Sequence, residues 1–195
     1  PDAREADQVR VGLGRHHAGL ARQVLQRHRP GVVDERMQQL PADRDALDAA
    51  PAGPIRLLSL CSGDARDVVG ACHGHPRARD VVGALVELDP TLAHRAQIAI
   101  GEAGLSLDVR CGDAADSKGF ADAIPADVLV PVGIFGNISD EDVAGLIAAA
   151  PSMCAAGGTI IWSRHRRAPD LTPKIRRWFD RAGFESVDFR SPGAD

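Results

Sequence analysis

Tyrosine is absent from the 195 residues, and lysine occurs only twice, at Lys118 and Lys174. The first absence removes one common catalytic group. The second, beside frequent arginine, fits the coding bias of a GC-rich bacterial genome. Cysteine is sparse: Cys61, Cys72, Cys111 and Cys154 lie far apart, with no Cys-x-x-Cys, so a zinc ribbon or redox pair has no support. Several sit in apolar surroundings and read as buried free thiols in a reducing cytosol, so a cytoplasmic protein is expected. No apolar run approaches the roughly 18 residues that a membrane span needs. No signal peptide is visible. Neither a glycine period nor sustained heptads appear, which excludes collagen-like and coiled-coil chains.

A hydrophobic fraction of 44% with a net charge of only −4 instead indicates a chain that buries a core. The mildly acidic balance argues against a nucleic-acid partner, because such proteins carry a basic field. A chain that opens on Pro1 is expected to have lost N-terminal residues.

Residues 1–50 are polar and rich in arginine and alanine. Helical spacing of apolar residues predicts helices over 16–28 and 33–47, interrupted at Pro30-Gly31 and Pro41. This stretch reads as a helical N-terminal arm on a domain spanning 51–195. It is expected either to cover the ligand-binding edge as a lid or to pack on a second copy in a homodimer.

From Ile55 strand-length apolar runs alternate with helical segments. Strands are predicted over 55–60, 81–88, 105–110, 127–132, 158–163 and 185–189, with helices over 65–72, 90–103, 117–123, 139–150 and 171–182. Asp89-Pro90 supplies a cap and a first-turn proline. Ser139 is a cap followed by three acids, which suits the positive end of a helix dipole. Such alternation predicts an α/β, doubly wound, mostly parallel sheet in three layers. Ligands bind such sheets beyond the carboxyl ends of the strands, so chemistry is sought there.

After the first strand, Ser59-Leu60-Cys61-Ser62-Gly63-Asp64-Ala65 is a turn of small residues that lets backbone approach a ligand. With only Gly63 it lacks the G-x-G-x-x-G dinucleotide fingerprint, and an ordinary tight turn is the bland alternative. After the second strand, Glu87 lies near the distance at which a carboxylate receives a ribose diol, while Asp89 caps the next helix. Asp113, after the third strand, can accept an exocyclic amine or simply form a turn. After the fourth, Val132, Gly133, Phe135 and Asn137 form an apolar, glycine-punctuated loop that can floor a reacting group, with Phe135 as core packing the alternative. After the fifth, Ser163-Arg164-His165-Arg166-Arg167 places cations at the same edge. A solvated charge run is the default, but the position favours an anionic substrate group. His165 is a candidate general base. His73-Gly-His75 reads as a surface turn rather than a metal pair, and no metal is expected.

Taken in order, these strand ends resemble the class I S-adenosylmethionine-dependent methyltransferases over residues 55–190. The first motif of that family, acid-x-Gly-x-Gly-x-Gly, falls on Ser59 to Ala65, with Ser59 for the acid, Cys61 and Ala65 for the outer glycines, and Gly63 kept. Glu87, in Val86-Glu87-Leu88-Asp89-Pro90, falls where the ribose-binding acid sits. Asp113 and Ala114 fall where adenine is held. Ala155-Ala156-Gly157-Gly158 looks like the turn into the fifth strand.

The resemblance implies a Rossmann-like methyltransferase fold whose seventh strand is missing from the sequence. It implies S-adenosyl-L-methionine as cofactor, held by Ser59, Cys61, Gly63, Glu87, Leu88, Asp113, Ala114, Val132 and Gly133. Phe135, Arg164 and Arg166 would hold a small-molecule acceptor, with His165 or Asn137 as the reacting-side residue. The Asn/Asp-Pro-Pro-Tyr motif used on base amino groups is absent after the fourth strand, which argues further against nucleic acid. A non-catalytic S-adenosylmethionine-binding module and a nicotinamide-dependent oxidoreductase are the competing readings.

Overall fold

A computed structural model describes residues 40–164 and 168–189. The predicted helix over 16–28 lies outside the described residues. The elements run α1 (Leu40–Ala49), β1 (Ile55–Leu60), α2 (Arg66–Cys72), β2 (Val81–Glu87), α3 (Pro90–Glu102), β3 (Ser106–Cys111), β4 (Ala126–Val130), α4 (Asp140–Met153), β5 (Cys154–Ile160) and α5 (Thr172–Arg181). Short 3-10 turns cover Ala78–Asp80 and Ser117–Ala123. The five strands form one sheet in the order β3-β2-β1-β4-β5, and every pairing is parallel.

Each face of the sheet is covered, so β2 and β4 read as near-continuous apolar runs, whereas the edge strand β3 alternates polar and apolar residues. On one face Leu57, Leu85, Val128 and Val130 pack under α1, α2 and α3 through Leu47, Val68, Ala96 and Ile100. On the other, Leu58, Leu60, Val86 and Leu129 meet Val143, Ile147 and Met153 of α4 and Ile175 and Phe179 of α5. The three-layer α/β architecture is therefore as expected.

Capping works as the sequence predicts. Asp89 Oδ1 accepts the N–H of Thr91 at 2.7 Å, with Pro90 in the first turn. Ser139 Oγ accepts the N–H of Asp142 at 3.1 Å.

Four expectations are corrected. Pro41 does not interrupt its helix, because it lies in the first turn of α1, where its missing N–H has no partner to lose. The helix after Ser139 continues past Ala150 through Pro151. Met153 is fully buried at its end, and Ser152 Oγ donates to the Ala149 carbonyl at 2.7 Å. Strand β5 accordingly starts at Cys154, four residues before the predicted position, and a two-residue step on β4 from Ala126 to Val128 faces a five-residue step on β5 from Cys154 to Thr159. Residues 185–189 are not a strand: Val187 is 95% exposed, and the segment pairs with no strand among the described residues.

The described part of the N-terminal arm is neither a lid nor a free extension. Ala46 and Leu47 of α1 are buried with Ile55 and Leu57 of β1. Two arginines lock α1 to the chain around α2. Arg44 Nη1 donates to the Ala71 and His73 carbonyls at 2.9 Å each, at the carboxyl end of α2. Arg77 returns the favour with bonds to the Leu47, Ala50, Pro51 and Gly53 carbonyls at the end of α1. His75 is no surface residue either. It is buried, with Nε2 3.2 Å from Asp48 Oδ1.

Candidate functional site

The ladders set the site. Leu60 pairs with Val86, Glu87 with Cys111, and Ser59 with Val130. Extending those registers by one or two residues puts Cys61, Glu87, Cys111 and Val132 in one row at the carboxyl edge. The row spans β1 and β4, between which the winding direction reverses, the place where open α/β sheets bind ligands.

The turn after β1 has an unusual backbone. Cys61, Gly63 and Ala65 all have positive φ, at 59°, 62° and 61°. For Gly63 this conformation is free of cost. For the other two it costs roughly 1–2 kcal/mol each, because Cβ crowds the following carbonyl. The alternating left-handed residues fall on the three positions that glycine occupies in the resembled motif. The left-handed turn thus forms with glycine at only one of those three positions. Ala65 tucks its methyl wholly into the core, whereas Cys61 is partly exposed at the strand end.

Glu87 braces this turn. Its carboxylate is buried, with Oε2 accepting the N–H of Gly63 at 2.7 Å and Oε1 accepting the N–H of Asp89 at 3.0 Å. A carboxylate offers about four acceptor positions, so two charge-assisted bonds leave capacity for a diol. Main-chain bonds tie the same strands together, from Ser62 N–H to Val86 and from Gly112 N–H to Glu87. Leu88 is exposed beside it. Asp113 Oδ1 accepts the N–H of Ala115 at 2.9 Å, the Asx turn of the bland reading, and Asp113 and Ala114 are partly exposed at the same edge. Ser59 lies inside β1, fully buried, with a hydroxyl that has no partner among the described residues. It faces the core rather than open space.

The loop after β4 is held by side chains bonded to its main chain. Ser163 Oγ accepts the N–H of Gly133 at 3.3 Å, Asn137 Nδ2 donates to the Gly133 carbonyl, and Arg164 Nη1 donates to the Phe135 carbonyl. Val132 is buried, and Gly133 has φ 76°.

The packing revises one expectation, that of Phe135, and the bonds give Asn137 and Arg164 a part in the loop. Asn137, half-exposed, braces its own loop through Nδ2. Phe135 has no exposed surface. Its ring packs 5.8 Å from Trp162 and 6.2 Å from Phe179, so it is a core wall behind the site and not a substrate contact. Arg164 commits one guanidinium nitrogen to the loop, while its Nε, also buried, has no hydrogen-bond partner among the described residues. His165 and Arg166 lie outside the described residues. Ser163 was not singled out from the sequence. Its only signal was its place at the fifth strand's end, level with Val132.

The residues present fit S-adenosylmethionine. A buried acid with spare acceptors stands at the end of β2, a second acid follows β3, and a left-handed turn tied to Val86 and Glu87 through its Ser62 and Gly63 N–H groups follows β1. No family model matches the chain, and no curated protein matches it. Solved structures do. A protein of an O-methyltransferase family from Burkholderia thailandensis is similar at 17% identity and a TM-score of 0.63, over 80% of this chain and 53% of that one. A methyltransferase from Geobacter sulfurreducens, solved with S-adenosyl-L-homocysteine, is 20% identical, with a TM-score of 0.55, over 77% of this chain and 65% of its own. Another from Thiobacillus denitrificans, also with S-adenosyl-L-homocysteine, is 18% identical, with a TM-score of 0.55, over 89% and 73%. The chain therefore spans about half to two thirds of the first two structures. The fold is that of the S-adenosylmethionine-dependent methyltransferases. No helix among the described residues is long and apolar enough to cross a membrane.

Proposed function

We propose that the protein transfers a methyl group from S-adenosylmethionine to a small molecule bearing a carboxylate or phosphate. The carrying observation is the bond between buried Glu87 and the N–H of Gly63, which joins a ribose-type acid to a left-handed turn at the switch point. Glu87 would receive the ribose hydroxyls on its remaining lone pairs. Asp113 would receive the adenine amine, and the turn from Cys61 to Ala65 would lie under the amino-acid portion. The cofactor, when bound, supplies a methyl group on a positively charged sulfur.

Transfer is an in-line displacement, so the chain's task is to hold the acceptor about 3 Å from the methyl and away from water. The braced loop from Val132 to Asn137 provides a rigid wall for that. The anionic acceptor is supported by the sequence position of Arg164, Arg166 and Arg167 after β5. His165 as base rests on its sequence position alone.

One observation favours a second reading, a module that binds the cofactor without transferring its methyl. Cys61, partly exposed at the strand end, carries a side chain where the resembled motif has none.

Calorimetric titration with S-adenosylmethionine, S-adenosylhomocysteine and NAD tests the cofactor. Micromolar binding of the first two alone supports it, and no binding of either overturns it. A screen of carboxylate- and phosphate-bearing acceptors then separates transfer from mere binding.

A further inference from the structure

Away from the strand ends, α1 seals a small cleft against the sheet. Its walls are Leu47 of α1, Val68, Ala71 and Cys72 of α2, Leu57 of β1, and Val128 and Val130 of β4. Into this apolar lining projects Asp43, only 7% exposed, whose Oδ1 has no hydrogen-bond partner among the described residues. The charged and titratable groups around it are few. Buried Asp67 comes from the first turn of α2, and buried Cys72 from its last. On α1 itself the neighbour is Arg44, which spends Nη1 on the Ala71 and His73 carbonyls. The strands offer only Leu57, Val128 and Val130. No lysine lines the cleft, and the nearest carboxyl group is another acid.

We propose that α1 is a pH-sensitive strap: it docks on α2 with the Asp43 carboxyl protonated, and its first turn lifts when that carboxyl ionises. The physical reason is that an ionised carboxylate in an apolar cleft beside a second acid loses its solvent, and among the described residues no donor bonds its Oδ1 in return. The helix has a way out, because its two ends are held differently. The last turn is pinned by four Arg77 bonds to the Leu47, Ala50, Pro51 and Gly53 carbonyls, whereas the opening turn, where Asp43 sits, is held by the two Arg44 bonds, which lifting it breaks.

Titration supports the geometry. Burial, with Asp67 adding to it, pushes the Asp43 carboxyl up to about 7. Burial and then Asp43 push the Cys72 thiol up to about 11, against a smaller opposing effect of Arg44. The sign follows. An acid raised in the folded state above its unfolded value of 3.8 favours the docked form fully at low pH. That contribution is lost as pH rises through neutrality.

Cys72, buried beneath the strap, is the reporter, and exposed Cys111 is the internal standard for thiol ionisation. The full chain is alkylated with iodoacetamide at pH 6 and at pH 8, and each cysteine is read by peptide mass spectrometry. The Cys72-to-Cys111 labelling ratio should rise about tenfold over that interval, following the ionised fraction of Asp43. In Asp43→Asn the ratio should stay flat. A ratio that rises equally in both proteins, or in neither, overturns the proposal. Carbon-13 titration of the Asp43 carboxyl in the unmodified protein decides independently of whether the variant folds. A midpoint near neutrality supports the strap, and one in the ordinary carboxylate range overturns it.

Discussion

Gly83 faces Leu57 across β1 and β2 so closely that a Cβ on Gly83 would stand 2.1 Å from the Leu57 carbonyl oxygen. The obstacle is backbone in the middle of the sheet and cannot swing aside. Gly83 also has φ +129°, where a side chain is strained whatever the space. Gly83→Ala should therefore destabilise the protein by about 3 kcal/mol or more, a large effect for adding one methyl group. Urea unfolding followed by circular dichroism measures it, and a loss below about 1 kcal/mol would contradict the close approach.

Glu87 serves the turn even before any ligand arrives. In Glu87→Gln one oxygen becomes an NH2 that cannot accept, so either the Gly63 or the Asp89 N–H loses its acceptor. Stability should fall by about 1–3 kcal/mol, the usual result of stranding a buried donor. S-adenosylhomocysteine binding should weaken more than about tenfold, since the diol loses its charged acceptor. Unchanged affinity by calorimetry would remove Glu87 from the proposed ribose site.

Cys61 offers the opposite sign. Replacing it by glycine relieves the left-handed strain at φ 59°, offset in part by the greater freedom of glycine in the unfolded chain. Cys61→Gly should stabilise by about 0.5–1 kcal/mol, and Cys61→Val, β-branched at the same φ, should destabilise by about 1–2 kcal/mol. Thermal melts of both variants against the parent check the pair, and the order of the two melting temperatures is the decisive reading.

Arg77 gathers four carbonyls between Leu47 and Gly53 at 2.6–3.2 Å and pairs with Asp80 through Nε. A lysine has one compact ammonium and cannot span that set. Arg77→Ala and Arg77→Lys should therefore both speed amide hydrogen exchange in α1, with little rescue by lysine, and cost about 1–3 kcal/mol. Full rescue by lysine would show that charge alone, rather than the fork, holds the helix end.

Most of the sheet could be read from the chain because β1, β2 and β4 are largely apolar and β3 alternates, and the caps Ser139 and Asp89 act locally. The edges of the site were legible for the same reason: residues just after parallel strands share one rim whatever the packing. What escaped depends on contacts far apart in sequence. Phe135 looked like an acceptor contact until Trp162 and Phe179 closed over it. Met153 extended α4 through Pro151 because its burial outweighed the lost bond. Nothing in the polar sequence around Asp43 announces that this acid is buried on the same helix as Leu47.

The uneven step between β4 and β5 acquires a meaning once the margin of the sheet is considered. Among the described residues β5 has a neighbour on one side only, so its outer rim presents unused main-chain groups. A straight rim of that kind invites a foreign strand to stack on it. Here five residues of β5 answer two of β4, and the excess includes Gly157 at φ +77°, which buckles the rim. An incoming chain would find few consecutive groups at the right spacing. The irregularity that displaced β5 from its predicted start thus makes the outer rim of β5 a poor template for a further strand.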